Sequence, residues 1–266
     1  MNHQEPDTGG PQVMLSRRDA IGLLTLNRPE RANAFSVTMR GELLAAAQEI
    51  AADESIRVVI LTGAGRYFSA GADLREPPAV RAAGRKQFPG ATDLSGIPQP
   101  VIAAINGPAL GGGCEIALTC DFRFMAADAR IGLTEIRFGA LPIGGGTARL
   151  PRLVGLAAAR KMIMSGDPID APEAERIGLA DRVVEPARLM DESLTFARHL
   201  AQRPSYAMRT AKVLLNSCLE VDLATALRRE KQLARSMASR EEMAAARRAA
   251  AESMPTYARI FAQEES

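Results

Sequence analysis

Short, continuous apolar runs separated by turns recur through the first part of the chain. Residues 58–61 (VVIL) and Val101–Ile105 (VIAAI) are such runs, and each ends at glycine or asparagine within two residues. Runs of this length are typical of strands that are buried on both faces of a parallel sheet. We expect further strands at Phe122–Ala126 and at residues 182–185, and a pair of strands within residues 13–26.

Between these runs, apolar residues recur every three or four positions, which is the period of an amphipathic helix. One such stretch follows Ser36, a residue type that caps helix N-termini. Two others follow glycine clusters at residues 111–113 and 144–146. The last stretches cover residues 190–201, 208–218 and 223–237. Strands that alternate with helices predict an α/β fold with largely parallel strand pairing.

Glycine is concentrated in the middle of the chain. Sixteen of the 22 glycines lie between Gly63 and Gly155, and none follows Gly178. Two glycine-containing turns, residues 68–73 and 107–115, come after buried strands, and the second precedes a helix. Backbone N–H groups in such turns have no helical partner and favour a negative oxygen, so two of them would form an oxyanion hole. For either turn taken alone, tight packing explains the glycines more simply.

Two segments differ from this α/β pattern. Residues 75–98 contain several prolines, and we expect a loop-rich excursion there rather than a packed element. The glycine-free end of the chain is a set of helices with little core of its own. Such helices bury their apolar faces either against the α/β domain of the same chain or against another subunit.

Composition excludes several classes of function. The 33 basic and 31 acidic residues leave a net charge of +2, which predicts no strong affinity for nucleic acid or an anionic membrane. Cys114, Cys120 and Cys218 form no CxxC pair and have no histidine at metal-ligand spacing, which favours a reducing compartment without disulfides or a metal site. The polar N-terminus and the absence of a long apolar run predict a cytoplasmic protein.

Two glutamates stand among apolar residues near the glycine turns. Glu115 lies in the stretch CEIAL and Glu135 in IGLTEI. Desolvation would raise their pKa toward the range that is useful for acid–base catalysis, although each alone is more simply a structural residue. The chain has two histidines, no P-loop and no GxSxG motif, and a Rossmann fingerprint fails at Ile116. Carboxylates and backbone N–H groups are therefore the main candidates for chemistry.

Six segments, in order and at matching spacing, resemble the enoyl-CoA hydratase/isomerase (crotonase) superfamily. They are LNRPERANA at 26–34, LTGAGRYFSAGADL at 61–74, PVIAAING at 100–107, ALGGGCE at 109–115, LP at 141–142 with the glycines after it, and GDPIDA at 166–171. The resemblance implies a crotonase-like spiral of repeated ββα units over residues 12–196. It also implies a helical trimerisation region over residues 197–266, assembled as a trimer or a dimer of trimers.

The resemblance further implies an acyl-CoA thioester as the ligand, no separate cofactor and a role in fatty acid metabolism. By position, the N–H groups of Ala72 and Gly112 would hold the thioester oxygen. Glu115 would mainly act on the water that attacks C3, and Glu135 would mainly deliver the proton to C2, which is the chemistry of an enoyl-CoA hydratase. The residues expected to contact the substrate and its CoA portion are Arg31, Ala32, Ala34, Ala70, Gly71, Asp73 and Leu74.

Two other functions remain open. One is a different crotonase reaction on an acyl-CoA, by an enoyl-CoA isomerase or a carnitinyl-CoA dehydratase-like enzyme, whose loop the segment 75–98 resembles weakly. The other is a non-catalytic RNA-binding homologue, against which the balanced charge argues. The Phe…Lys-Arg-Lys-Pro pattern of many family C-termini is replaced here by a segment with Arg247, Arg248 and Arg259. This segment therefore departs from the family pattern that lies near the CoA adenine.

Overall fold

The computed structural model describes residues 10–237 and 239–253. The chain divides into two compact units, one ending at Ala201 and the other beginning at Gln202. A boundary between residues 196 and 197, as expected from the sequence, would fall inside a helix that spans Leu189–Ala201. No helix of the described residues is long and apolar enough to cross a membrane.

The framework of the first unit is a six-stranded sheet and a smaller three-stranded sheet. The strands are β1 (Val13–Arg18), β2 (Ile21–Leu26), β3 (Val58–Gly63), β4 (Val101–Ile105), β5 (Ala109–Leu110), β6 (Phe122–Ala126), β7 (Arg130–Gly132), β8 (Ile169–Asp170) and β9 (Arg182–Val184). The larger sheet has the order β1-β2-β3-β4-β6-β9, and only its β1–β2 pair is antiparallel. The prediction of an α/β fold with largely parallel pairing is thus confirmed.

The three strands of the smaller sheet were not predicted. β5 pairs in parallel with β7, and β7 pairs antiparallel with β8. Each has only two or three residues, which is too short for a periodic pattern to show in the sequence. This sheet nevertheless matters for the site, because β5 lies within the second glycine turn, directly before Gly111.

The described part of the first unit also has six α-helices, namely α1 (Val37–Ala52), α2 (Pro78–Gln87), α3 (Gly112–Thr119), α4 (Gly146–Ser165), α5 (Ala171–Arg176) and α6 (Leu189–Ala201). Ser36 caps α1 as predicted, since its side chain accepts a hydrogen bond from the Met39 N–H at 3.0 Å. The α4 segment is interrupted at Gly155, where φ is +76°.

The expectation of a loop over residues 75–98 is wrong where α2 forms. Pro77 and Pro78 stand at the N-terminus of this helix, where a missing N–H group costs no helical hydrogen bond. The alanine, arginine, lysine and glutamine residues that follow are good helix formers. The prolines therefore mark the start of a helix rather than a loop.

The core of the first unit is continuous and centred on the parallel strands. The central strands β3 and β4 are almost entirely buried, as their uninterrupted apolar sequences predicted. Helix α6, the last element of the unit, packs against β2, β3, β4 and β6. Helix α1 packs against β1 and α2. These contacts hold the strand ends, and the loops that leave them, in fixed positions.

The second unit contains α7 (Ser205–Ser217), α8 (Leu223–Ser236) and α9 (Arg240–Ser253). The sequence predicted the first two of these helices, and Asp222 caps α8 by accepting a hydrogen bond from the Thr225 N–H. Large apolar side chains of this unit remain exposed, including Leu215, Leu219 and Leu223. The expected role of these helices in trimerisation stays a prediction.

Candidate active site

Two loops of the first unit meet backbone to backbone after strands β3 and β4. Gly71, in the loop after β3, has a φ of +85°, and a Cβ atom there would lie 2.6 Å from the Gly112 nitrogen. Any other residue at this position would therefore combine an unfavourable φ with a steric clash. The bridge between Ser69 and Ala109 joins the same two loops. The close approach brings Ala72 and Gly112 to the same place in the fold.

The N–H groups of Ala72 and Gly112 donate no hydrogen bond to any other group of the described chain. Gly112 is the first residue of α3, where N–H groups have no helical partner and the helix dipole favours a negative oxygen. On either side of Ala72 the N–H groups are engaged, since Gly71 donates to Ser69 Oγ and Asp73 donates to the Phe35 carbonyl. Two donors are thus left open, as the predicted oxyanion hole requires.

Buried polar side chains tie the turn after β2 to these loops. Asn33 donates through Nδ2 to the Ala64 carbonyl at 2.9 Å, and Ser69 Oγ donates to the Asn33 carbonyl at 2.8 Å. Arg28 forms a buried ion pair with Asp73, with 2.6 Å between Nη1 and Oδ2. The carboxylate of Asp73 therefore has a structural partner, and the expected contact of this residue with the substrate stays a prediction.

The two open N–H groups face a cleft of about 700 Å³, a volume suited to a small-molecule ligand. Six of the residues predicted from the sequence line it, namely Ala70, Ala72, Leu74, Gly112, Glu115 and Glu135. Gly71 lies behind this surface against Gly112. Arg31, Ala32 and Ala34 do not line the cleft, so their expected contact with CoA stays a prediction.

Glu115 is held in the cleft by backbone N–H groups at the start of another helix. Its Oε1 accepts hydrogen bonds from Gly144 N at 2.7 Å and from Gly146 N at 3.0 Å. The residue is only 7% exposed, and this burial raises the pKa of the carboxyl group. The two N–H donors and the positive charges of Arg149 and Arg40 oppose the rise, because they stabilise the ionised form.

Glu135 lies at the start of a short 3-10 helix, Glu135–Phe138, and has fewer polar partners. Its Oε2 is buried and has no hydrogen-bond partner among the described residues. Burial raises its pKa, its own backbone N–H lowers the pKa, and the negative charge of Glu115 raises it again. Across the cleft its carboxylate packs against Gly111, where a Cβ atom would lie 3.1 Å from Oε1.

These environments separate the two carboxyl groups chemically. Burial raises the pKa of both, but at Glu115 two amide donors and two arginines oppose the rise, whereas at Glu135 the charge of Glu115 adds to it and one oxygen has no partner among the described residues. A pair whose surroundings push the protonation states apart can supply one base and one acid. The cleft can therefore remove a proton at one point and deliver one at another, beside a site for a negative oxygen.

Sequence reasoning missed the residues that support this arrangement. Gly144 and Gly146 belong to a glycine cluster that predicted a helix start, but nothing in the sequence connected them with Glu115. The sequence did not indicate a role for Arg149 either. Arg149 lines the cleft and forms an ion pair with Asp93, with 2.6 Å between Nη2 and Oδ2. Within the described chain, no group of three histidine, cysteine, aspartate or glutamate residues could hold a metal ion.

Known proteins are similar to this chain in both sequence and fold. The family model described as Enoyl-CoA hydratase/isomerase matches residues 16–258. A short-chain-enoyl-CoA hydratase of Clostridium acetobutylicum is 39% identical over 81% of this chain and 85% of that protein. A 2,3-dehydroadipyl-CoA hydratase of Escherichia coli is 38% identical over 87% and 92%, respectively. The crystal structure of an enoyl-CoA hydratase from Bacillus anthracis matches with a TM-score of 0.81 and 38% identity, covering 84% of this chain and 90% of that one.

Proposed function

Because the chain belongs to the enoyl-CoA hydratase/isomerase family and has its crotonase-like fold, we propose that it is a 2-enoyl-CoA hydratase. The reaction is the reversible addition of water across the 2,3 double bond to give a 3-hydroxyacyl-CoA. The observation that carries the proposal is the pair Glu115 and Glu135 in one cleft with the two open N–H groups. This combination meets the requirements of hydration at each step.

In the first step, water adds to C3 of the thioester. The N–H groups of Ala72 and Gly112 hold the thioester oxygen and stabilise the enolate charge that develops there, at about 3–4 kcal/mol per donor in the transition state. Ionised Glu115 takes a proton from the water as its oxygen bonds to C3. The electron pair of the double bond moves toward C2 and the thioester oxygen.

In the second step, the enolate collapses as Glu135 donates its proton to C2. The product has gained OH at C3 and H at C2, so one water is consumed. Glu115 is then protonated and Glu135 ionised, and exchange with solvent protons restores the starting state. The surroundings of the two groups favour this division of roles, because two backbone N–H donors and two arginines stabilise ionised Glu115, whereas the negative charge of Glu115 disfavours ionised Glu135.

The two carboxylates also favour hydration over the other crotonase reactions. Moving a double bond from the 3,4 to the 2,3 position needs a single base that shifts one proton, and no activated water. A second carboxyl group beside the first would then have no task. A specialised dehydratase would run the same two steps in reverse, so its distinction from a hydratase lies in the acyl group.

The test is to add crotonyl-CoA to the purified protein. We expect loss of the absorbance of the conjugated thioester and a product heavier by one water. Turnover of a 3-enoyl-CoA to the 2-enoyl isomer without hydration would instead identify an isomerase. Salt-sensitive binding of RNA by a protein that turns over neither substrate would favour the binding homologue.

The proposed function also includes a binding site for the CoA portion and an assembly of several chains. CoA would extend along the turn of Arg31, Ala32 and Ala34 and the segment 70–74, without a separate cofactor. The exposed leucines of α7 and α8 support assembly as a trimer or a dimer of trimers. The proposed function also places the enzyme in the cytoplasm and in fatty acid metabolism. Light scattering would then give three or six times the chain mass of 28.4 kDa. A mass of one chain would contradict the assembly but not the activity.

A further inference from the structure

One wall of the cleft, formed by α1 and α2, is rich in arginine. Arg40 on α1 and Arg81 and Arg85 on α2 all line the cleft. The guanidinium carbon of Arg40 lies 5.6 Å from the centre of the Phe35 ring. Among the described residues, the Arg40 side chain has no hydrogen-bond or ion-pair partner, which is unusual for a half-buried arginine.

The positive charge of this wall is only partly balanced. Arg149 is paired with Asp93, and the carboxylate of Glu115 is engaged by backbone amides. Glu76, the nearby acid on the α2 side, accepts a hydrogen bond from the Val37 N–H and does not line the cleft. The charges of Glu115 and Glu76 act on Arg40 from a distance, but no carboxylate forms an ion pair with Arg40 within the described chain.

The surroundings of Arg40 destabilise the charged form of its side chain. Burial lowers the pKa of its guanidinium group, and the positive charge of Arg85 lowers it further. Glu76 and Glu115 offset part of this destabilisation of the charged form, and the pKa nevertheless stays lowered. An anionic ligand would oppose the effects of both burial and Arg85, because a carboxylate accepts two parallel hydrogen bonds from a guanidinium group and neutralises the neighbouring charge.

The position of Arg40 indicates which part of the substrate it faces. The thioester oxygen at Ala72 and Gly112 and the reacting carbons at Glu115 and Glu135 mark the start of the acyl chain in the cleft. Arg40 is close enough to Glu115 for each charge to affect the pKa of the other. The turn that is expected to hold CoA contributes none of its residues 31, 32 and 34 to the cleft. Arg40 thus lies on the acyl side of the reacting carbons.

We propose that the preferred substrate is a 2-enoyl-CoA whose acyl chain ends in a carboxylate, which is bound by Arg40 with Arg81 and Arg85 adding positive charge. The proposal rests on the hydratase function above and specifies its substrate class. Sequence identity to known proteins does not specify the acyl group, since two relatives of nearly equal identity are named for different acyl chains. The terminal carboxylate stays chemically unchanged while water adds to C3 and a proton to C2.

The experiment compares two substrates that differ only at the end of the chain. trans-2,3-Dehydroadipyl-CoA carries a carboxylate where trans-2-hexenoyl-CoA carries a methyl group. For the unmodified enzyme we expect kcat/KM to be about tenfold or more higher with the carboxylate, as one charge-assisted hydrogen-bonded contact gives. In Arg40→Met this preference is lost, whereas Arg18→Met, which changes an exposed arginine on β1, keeps it.

Two outcomes would overturn the proposal. An unmodified enzyme without preference for the carboxylate is the first. The second is an Arg40→Met enzyme that retains the preference. If kcat/KM in that variant falls equally for both substrates, Arg40 acts on a part that they share, such as the phosphates of CoA.

A binding measurement separates this proposal from the hydratase function. Adipyl-CoA and hexanoyl-CoA have no double bond and cannot be hydrated, so calorimetry reports their affinity alone. We expect adipyl-CoA to bind about tenfold more tightly, and Arg40→Met to abolish the difference. If crotonyl-CoA and both enoyl substrates are not turned over but this difference is present, the hydratase function fails and the carboxylate site stands. If crotonyl-CoA is hydrated and the difference is absent, only the carboxylate site fails.

Discussion

The α3 side and the 3-10 helix side of the cleft each present one glutamate, but they treat it differently. Glu115 accepts two hydrogen bonds from backbone amides at the start of α4. Glu135 keeps one buried oxygen without a partner among the described residues. Burial raises the pKa of both carboxyl groups, but two amides and two arginines stabilise ionised Glu115, whereas Glu135 has only its own backbone N–H. Backbone hydrogen bonds and nearby charged side chains both contribute to this difference.

The largest effect is expected from removing either carboxylate. Glu115→Gln and Glu135→Gln should each lower kcat for crotonyl-CoA hydration by about 10²–10⁴-fold, because each removes a positioned acid or base. Glu54→Gln, which changes an exposed glutamate away from the cleft, serves as the control. Hydration that survives in both cleft variants would contradict the mechanism.

The same two variants can be distinguished by proton exchange at C2. A saturated acyl-CoA in deuterated water exchanges its C2 proton through the group that faces C2, without any attack by water on C3. We expect Glu115→Gln to retain this exchange and Glu135→Gln to lose it, as followed by mass spectrometry. The reverse pattern would exchange the roles of the two glutamates.

A smaller effect is expected from disturbing the amides that hold Glu115. A Cβ atom at Gly144 would lie 2.5 Å from the Glu115 carboxylate, so Gly144→Ala must displace that carboxylate. Misplacing a catalytic group by about 1 Å can cost on the order of 10²-fold in rate. Gly96→Ala is the matched control, because no atom lies within 4 Å of its added methyl group. Unchanged kcat in Gly144→Ala would show that the amides do not orient the base.

The pH profile should report the charges around Glu115. Its carboxyl group must be ionised, and burial raises its pKa, so kcat/KM should fall on the acid side at a pH above the ordinary glutamate value of about 4.3. Arg149 opposes the rise, so Arg149→Met should move this acid limb to higher pH. An acid limb that does not move would mean that another group sets it.

The smallest effect is expected on the free energy of unfolding. Glu135→Gln should raise it, whereas Glu115→Ala should lower it. The pKa of Glu135 is raised on folding, so its ionisation disfavours the folded state once the pH exceeds the ordinary glutamate value. Glu135→Gln should therefore unfold at higher urea than the unmodified protein at pH 8, with a smaller difference at pH 4. Glu115→Ala should instead lose about 1–3 kcal/mol, because the Gly144 and Gly146 amides lose their acceptor.

Much of the larger sheet could be predicted from the sequence, and the cleft only in part. Strands β4 and β6 have the predicted bounds, and β4 is the continuous apolar run that is expected of a fully buried strand. Glycines at 71 and 112 predicted an open backbone, and their pairing in space followed from the family resemblance. The resemblance also supplied the roles of the glutamates, which composition alone left undecided.

What escaped prediction depends on contacts between distant parts of the chain. Gly144 and Glu115 are 29 residues apart, and no local pattern shows that one donates to the other. The environment of Arg40 likewise requires α2 to be in place, and α2 itself was hidden by its prolines. A local pattern predicts elements, whereas the electrostatics of a cleft depend on how several elements pack.

The position of α6 has a consequence for how the chain is made. This helix covers β2, β3, β4 and β6, yet it is the last part of the first unit to leave the ribosome. At roughly 5–20 residues per second, the interval between the synthesis of β3 and of α6 is roughly 7 to 30 seconds. During that time the apolar strands lack their covering helix, so chaperone binding to nascent chains should end once residue 201 has emerged.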